Sequence, residues 1–327
     1  MEVGFASLVG VEPLPFPELL HRAGALGLDA VEVNVGPAFR RIGDASYPGH
    51  LDLDAIVREG PGAVQEALSA HRMRIAALAP MLNLLTADPD LRAARISSFR
   101  QVIDVCAVMG VGTVVTYGGS PYGMYFWGLP GVRDGHPSNR LGDSIEAFRE
   151  VFGPLASHAE DRGVRIALET APRGGGEGNV AHAPELWDRL FDAVPSPALG
   201  LSLDPSHLVW LQIPDVPGVI RRYAGRIYHL DAKDTEILPW RLARQGVLGN
   251  AWWRYRLPGL GALDWGAIIP ALREAGYDDV LTIENEDPEY PGLDGVGRAA
   301  RFLRGHLDTS PGSAVTAERV EGGQPDL

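Results

Sequence analysis

The chain has 327 residues, 45% hydrophobic and 22% charged, with a formal net charge of −13; this is the composition of a soluble globular protein with a full core, long enough for one large α/β barrel or two ordinary domains. The acidic balance argues against nucleic acid and anionic membrane as partners, and no apolar run approaches the ~18 residues of a membrane span. The single cysteine, Cys106, excludes an internal disulfide and a zinc finger, and Met1–Phe5 lack the basic and apolar regions of a signal peptide, so a cytoplasmic location is expected.

Short β-branched runs alternate with amphipathic stretches from end to end. The first strand is expected over Val3–Leu8, followed by a helix over Phe16–Leu26 and a second strand over Ala30–Val35. Helix Leu53–His71 leads into strand Arg74–Ala79, and helix Leu91–Met109 into strand Thr113–Tyr117. Helix Leu141–Arg162 precedes strand Arg165–Glu169, and helix Pro184–Ala193 precedes strand Leu199–Asp204. Helix Val216–Tyr223, strand Ile227–Asp231, helix Trp265–Ala275 and strand Asp279–Glu284 complete the series. Gly27, Gly110, Gly163 and Gly276 stand where helices end before the next strand, as left-handed C-caps do.

Eight strands alternating with helices imply a parallel sheet with right-handed crossovers. An open doubly wound sheet announces itself by a Gly-rich phosphate turn after the first strand; here that strand runs into Val9-Gly10-Val11-Glu12-Pro13. The expected fold is therefore a single parallel (β/α)8 TIM barrel over residues 1–308. The stretch 309–327, rich in Gly, Ser, Pro and charge, is expected to be a disordered or loosely attached tail. Two loops after strands are long: Gly118–Asn139 after the fourth, and Thr235–Leu263 after the seventh. The first carries Tyr122, Tyr125, Phe126 and Trp127; the second carries Trp240, Trp252, Trp253, Arg254, Tyr255 and Arg256. Loops at this end of a barrel build its chemistry, and such aromatics either stack on a sugar ring or pack in an oligomer interface.

Four successive strand ends carry possible metal ligands: Glu169, Asp204, His229 and Glu284. Each has a plain structural reading. Asp204, before Pro205, could cap the next helix; Glu169 could bind an arginine; His229 could be an interior histidine; Glu284 could be one of several solvated acids in Glu284-Asn285-Glu286-Asp287. Jointly they read differently. Acids and an imidazole ending four neighbouring apolar strands would be costly without a cation, and the donor set suits one divalent ion: manganese first, with magnesium, cobalt or zinc as alternatives.

The segments Leu168-Glu169-Thr170, Asp204-Pro205-Ser206-His207, Tyr228-His229-Leu230-Asp231-Ala232-Lys233-Asp234, Leu257–Trp265 and Thr282-Ile283-Glu284 resemble the xylose-isomerase-like barrel superfamily. That group holds sugar phosphate isomerases and epimerases, inosose isomerases and endonuclease IV. The resemblance implies metal ligation by Glu169, Asp204, His229 and Glu284. It also implies that Glu169 and Glu284 exchange protons with a sugar through a metal-stabilised enediolate, with His207 on a substrate oxygen. Two positions depart from the ketose epimerases of the group: their arginine beyond the metal histidine is Thr235 here, and a second acid is replaced by Gly175.

Asp231 and Lys233 alternate with His229, so all three can face inward. With Arg254 and Trp253 they are candidate substrate-binding residues, although Lys233, the chain's only lysine, could instead pair with Asp231 or Asp234. The expected activity is a metal-dependent isomerase or epimerase of a free or modified sugar. A second reading is a lyase-type subunit that eliminates the aglycone from a 3-oxo-sugar glycoside beside a small β-rich partner; a third is a non-catalytic sugar- or partner-binding barrel. Homo-oligomerisation is expected. Endonuclease chemistry would need further histidines, and strands two and three end at Asn34 and Pro80.

Overall fold

A computed structural model describes residues 1–7, 14–35, 50–122, 140–174, 177–247, 249 and 251–308. Eight parallel strands close into a barrel. They are β1 (Glu2–Ala6), β2 (Ala30–Asn34), β3 (Arg74–Ala79), β4 (Thr113–Tyr117), β5 (Arg165–Glu169), β6 (Leu199–Leu203), β7 (Ile227–Ala232) and β8 (Val280–Ile283). Each pairs with its neighbour in sequence, and β1 pairs with β8 to close the ring. The expected barrel is the observed one.

Side chains alternate across each strand, and the alternation sorts them into two environments. Val3, Phe5, Val31, Val33, Leu78, Val114, Ile166, Leu168, Leu201, Leu230 and Leu281 join helix residues such as Leu19, Phe99, Phe148, Phe152, Trp187 and Trp265 in one buried apolar layer. Each such side chain contributes about 1.5–3 kcal/mol on burial, which makes this layer the main source of stability. The barrel interior is different. Small residues Ala77, Ala79, Val115 and Ala167 cluster with Tyr228, and the polar residues Glu32, Asn34, Ser202, His229 and Asp231 are buried as well.

The helices depart from expectation in instructive places. The stretch expected as one helix over Leu53–His71 is two, Leu53–Glu59 and Gly62–Ala70. Gly60 at φ 85° ends the first, and Pro61, which has no N–H to offer, precedes the second. The helices Pro239–Gln245 and Gly292–Leu307 were not expected from the pattern, whereas the helix that Asp204 could cap is present as Pro205–Trp210. The loop after β7 also contains an antiparallel hairpin, Asp234–Ile237 with Trp253–Arg256. Gly27, Gly110, Gly163 and Gly276 do sit at positive φ, between 65° and 77°. Tyr125, Phe126, Trp127, Gly175 and the stretch 309–327 lie outside the described residues.

Two register shifts interrupt the barrel, one between β2 and β3 at Val31/Glu32 and one between β6 and β7 at Leu201/Ser202. In the second, Leu201 pairs with Ile227 while Ser202 pairs with His229, which leaves Tyr228 as the extra residue of a bulge. Bulges re-aim the side chains beside them. Here they flank Glu32 and His229, which face each other across the interior.

Candidate functional site

The strand tips are fixed by local hydrogen bonds. Asn179 ties β5 to β4: its Nδ2 donates to the carbonyls of Glu169 (2.9 Å) and Ala171 (2.6 Å), and its Oδ1 accepts from the Gly119 amide (3.2 Å). At the end of β6, the Asp204 amide donates to Thr170 Oγ1 (3.0 Å). Asp204 Oδ1 caps the helix Pro205–Trp210 by accepting from the Ser206 amide at 2.8 Å. That cap leaves Oδ2 free to face the barrel mouth.

The acidic and imidazole groups form two clusters. In the upper one, His207 lies between Glu169 and Asp204, with Nδ1 3.4 Å from Glu169 Oε1 and Nε2 3.2 Å from Asp204 Oδ2. In the lower one, His229 Nε2 lies 3.0 Å from Glu32 Oε2 and 3.7 Å from Asp231 Oδ1. Each cluster offers three ligand atoms within 4.8 Å of one another. The structure thus brings Glu169 and Asp204 together with His207, and places His229 with Glu32 and Asp231.

Glu284 is drawn to Lys233. The buried Lys233 ammonium pairs with Glu284, with Glu286 at 2.6 Å and with Asp204 Oδ2 at 3.0 Å, and it lies 4.2 Å from the centre of the Tyr255 ring. The pairing of Lys233 with Asp231 or Asp234, offered by sequence spacing, is corrected by this geometry. Asp234 is occupied by backbone: it accepts from the amides of Thr235, Gly259 and Leu263 and from Trp265 Nε1 at 2.8–3.2 Å.

Burial and mutual repulsion shape the charges. Burial, then the charges of Asp231, Asp204 and Glu284, push the Glu169 carboxyl well above the usual range. Glu284 is likewise raised by burial and by Glu286, with Lys233 opposing. Asp231 is pushed up to about 6 by burial and by Glu32. Against burial, His207, the Lys233 ammonium and the Ser206 amide hold Asp204 below its ordinary value. Burial takes His207 down to about 3, so its ring is neutral. Glu32 and Asp231 outweigh burial at His229 and raise it.

These residues fit a divalent cation. Glu169 Oε1 and His207 Nδ1 are buried with no hydrogen-bond partner, which is costly unless something else meets their lone pairs. Three carboxylates (Asp204, Glu284 and Glu286) pair with one ammonium, and the charges of Asp231, Asp204 and Glu284 act on Glu169 as well. The deficit is of positive charge.

Aromatic rings wall one side. Trp210 stacks on Trp253 with centroids 4.6 Å apart, Trp253 meets Tyr255 at 4.9 Å, and Tyr255 meets the His207 ring at 5.7 Å. Trp253 and Tyr255 stand on the second strand of the hairpin. Arg254, on the same strand, binds Glu236 (2.6 Å) and Glu289 (2.7 Å). Arg256 binds Asp287 (2.9 Å), Glu289 (3.0 Å) and Glu236 (3.2 Å). This ion network fastens the hairpin to the loop after β8.

Residues 20–306 match the family described as xylose isomerase-like TIM barrel. The chain belongs to this family. The xylose isomerase-like barrel is 28% identical over 298 residues to the uncharacterized protein YfiH of Bacillus subtilis, covering 84% of this chain and 89% of that one. It is 30% identical over 202 residues to an inosose isomerase of Bacillus velezensis, covering 60% and 61% of the two chains. Its fold is similar to that of L-ribulose 3-epimerase (TM-score 0.64, 18% identity, covering 94% and 93%). It is also similar to the IOLI protein with a bound zinc atom (TM-score 0.65, 20% identity, covering 94% and 96%).

Within this barrel, sequence reasoning passed over Glu32, Glu286, Trp210 and Asn179. Glu32 did carry a signal: it is an acid in the middle of Ala30-Val31-Glu32-Val33-Asn34, a strand buried throughout. Glu286 repeats the strand-like spacing of Glu284.

Proposed function

We propose that the chain is a divalent-metal-dependent isomerase or epimerase of a non-phosphorylated sugar or polyol. Glu169, Asp204 and Glu284 are taken as metal donors, with a further donor from β7. The observation that carries this reading is the pair of glutamates, buried Glu169 on β5 and half-buried Glu284 after β8, both pushed towards the neutral form beside orphaned ligand atoms. Carboxyls raised in this way can hold a proton near neutral pH and still release it, as an acid/base pair requires. A divalent ion, when bound, supplies polarisation of adjacent substrate oxygens and lowers the cost of an enediolate.

The remaining roles follow from the chain's own groups. Neutral His207, between Glu169 and Asp204, is placed to accept from or donate to a substrate hydroxyl. Lys233 keeps Glu284 and Asp204 in position and offers a proton donor to a substrate oxygen. Among the described residues, the cations nearest this mouth, Lys233, Arg254 and Arg256, are already bound to carboxylates. That favours a neutral polyol over a phosphorylated sugar.

The test is exchange of substrate hydrogen with solvent. Incubation of Mn2+-loaded protein with ketoses and inososes in D2O should place deuterium at the carbon next to the carbonyl. Glu169→Gln and Glu284→Gln should each lower the rate by about 10³-fold or more, within the range that positioned acid/base groups supply together with a ligand role. Full turnover in either variant would contradict the assignment.

The aromatic wall favours one second reading. The stacked rings of Trp210 and Trp253, with Tyr255 tilted beside them, suit a flat aglycone, as in elimination from a 3-oxo-glycoside by the same proton abstraction. Release of aglycone from such a glycoside, with no exchange into simple ketoses, would select it.

A further inference from the structure

On the reading of the mouth proposed above, we infer that Arg256 is a positioning residue for substrate recognition. Its buried pairing with Asp287 fixes the aromatic hairpin against the loop that carries Glu284, and so sets the Tyr255 ring beside His207 and Lys233.

Alternation along the second strand of the hairpin makes it a two-sided plate. Trp253 and Tyr255 turn to the mouth. The Trp253 and Trp210 ring centres are 4.6 Å apart, and Tyr255 lies 5.7 Å from the His207 ring and 4.2 Å from the Lys233 ammonium. Arg254 and Arg256 turn the other way, to Glu236, Asp287 and Glu289. The rings that bound the mouth and the charges that hold them are thus neighbours on one short strand.

A two-stranded hairpin is at best marginally stable by itself, and this one has four register pairs. It must be held from outside. Its first strand is tied by Thr235 Oγ1, which donates to the Ser206 carbonyl at 3.0 Å. Its second strand relies on the arginines, and these differ. The Arg254 side chain is 38% exposed, whereas that of Arg256 is 8% exposed and its partner Asp287 is wholly buried. Exposed pairs contribute little, while a buried carboxylate stripped of its guanidinium is strongly disfavoured.

Asp287 is a firm anchor in its own right. Its Oδ2 also accepts from the Leu257 amide at 3.1 Å, and its Oδ1 accepts from the Glu289 amide at 2.9 Å. Its own amide donates to Asn285 Oδ1 at 3.2 Å, and Asn285 Nδ2 donates to the carbonyls of Tyr290 (2.9 Å) and Gly292 (3.0 Å). Glu284 and Glu286, which bind Lys233, belong to this same tied loop. Arg256 therefore joins the two sides between which Lys233 stands: the Tyr255 ring, and the two carboxylates. Without Arg256 the loop keeps its internal hydrogen bonds, and Glu284 keeps its strand and Lys233. What is released is the hairpin, so recognition suffers more than chemistry.

The test compares Arg256→Gln and Arg256→Lys with the unaltered chain, all loaded with Mn2+ and shown by cooperative urea unfolding to be folded. The stacked Trp210–Trp253 pair gives an exciton couplet in far-ultraviolet circular dichroism, identified by its loss in Trp253→Phe. The couplet should vanish in Arg256→Gln and return in part in Arg256→Lys, which restores the charge but not the planar fork. In the solvent-exchange assay, KM should rise by about tenfold or more in Arg256→Gln with kcat within about threefold, the pattern of lost binding. A wild-type couplet in Arg256→Gln, or a lost couplet with KM unchanged, overturns the inference. So does a fall in kcat at constant KM. If Arg256→Gln does not fold, Asp287→Asn, which keeps the shape of the partner but not its charge, takes its place with the same expectations. An unaltered chain that exchanges no hydrogen contradicts the proposed activity alone, and the couplet then decides the role of Arg256.

Discussion

Asp204 shows how one side chain answers two demands. The sequence presents helix capping and facing the mouth as alternatives, because Asp204 precedes Pro205. The structure lets each oxygen do one: Oδ1 accepts from the Ser206 amide, and Oδ2 faces His207 and Lys233. Asp231 carries the clearest pH consequence. Its folded-state value is raised from the ordinary 3.8 to about 6 by burial and Glu32, so the folded chain keeps a proton that the unfolded chain has already released. The stability contributed by that proton is present at low pH and is lost as pH rises through about 6. A cation needs the ionised form, so the sign for binding is opposite. Mn2+ affinity should rise with pH and fall by roughly tenfold per unit below about pH 6 for each proton displaced. His207, already neutral above about 3, adds nothing in that range. Calorimetric titrations of Mn2+ across this range check the slope; a flat profile contradicts binding of the ion beside these raised carboxyls.

At the scale of elements, the loop after β7 is built on Asp234. Four donors converge on its carboxylate from Thr235, Gly259, Leu263 and Trp265. Gly261 passes so close that a Cβ there would lie 2.1 Å from Asp234 Oδ1, and Gly259 has φ +85°. The motif Leu257–Trp265 therefore shapes the mouth without touching the acid cluster. Asp234→Ala leaves those donors buried and unpaired, at a cost of roughly 3 kcal/mol, to be read by urea unfolding; Asp234→Asn should retain part of the loss. Wild-type stability in the alanine variant would show that the hairpin is held elsewhere.

What was legible in the sequence follows from the size of each local signal. Eight strands were readable because β-branched runs alternate with helical stretches that end in glycine. The helix Pro239–Gln245 left no trace because none of its residues is buried and no apolar face marks it. The break at Gly60-Pro61 was in plain sight but lay within a continuous apolar period. Glu169, Asp204 and Glu284 could be read from strand ends. The contact of His229 with Glu32 could not, because it depends on a bulge and on a partner across the barrel, both products of tertiary pairing.

On the scale of the molecule, closure of the ring is what gives the acids meaning. Residues from Glu32 to Glu284 are separated by most of the chain, yet the barrel gathers them around one axis. The apolar layer outside the strands bears the cost of holding those charges out of water. No helix among the described residues is long and apolar enough to cross a membrane. A bound cation would add to the fold in proportion to the logarithm of its concentration over its Kd, so the site and the stability of the barrel are linked.

The most direct measurement is anomalous X-ray diffraction from crystals of the full chain grown with Mn2+. The account predicts one strong peak at the C-terminal mouth, bounded by the carboxylates of Glu169 and Asp204. No peak there, or a peak confined to Glu32 and His229 in the layer below, would contradict it.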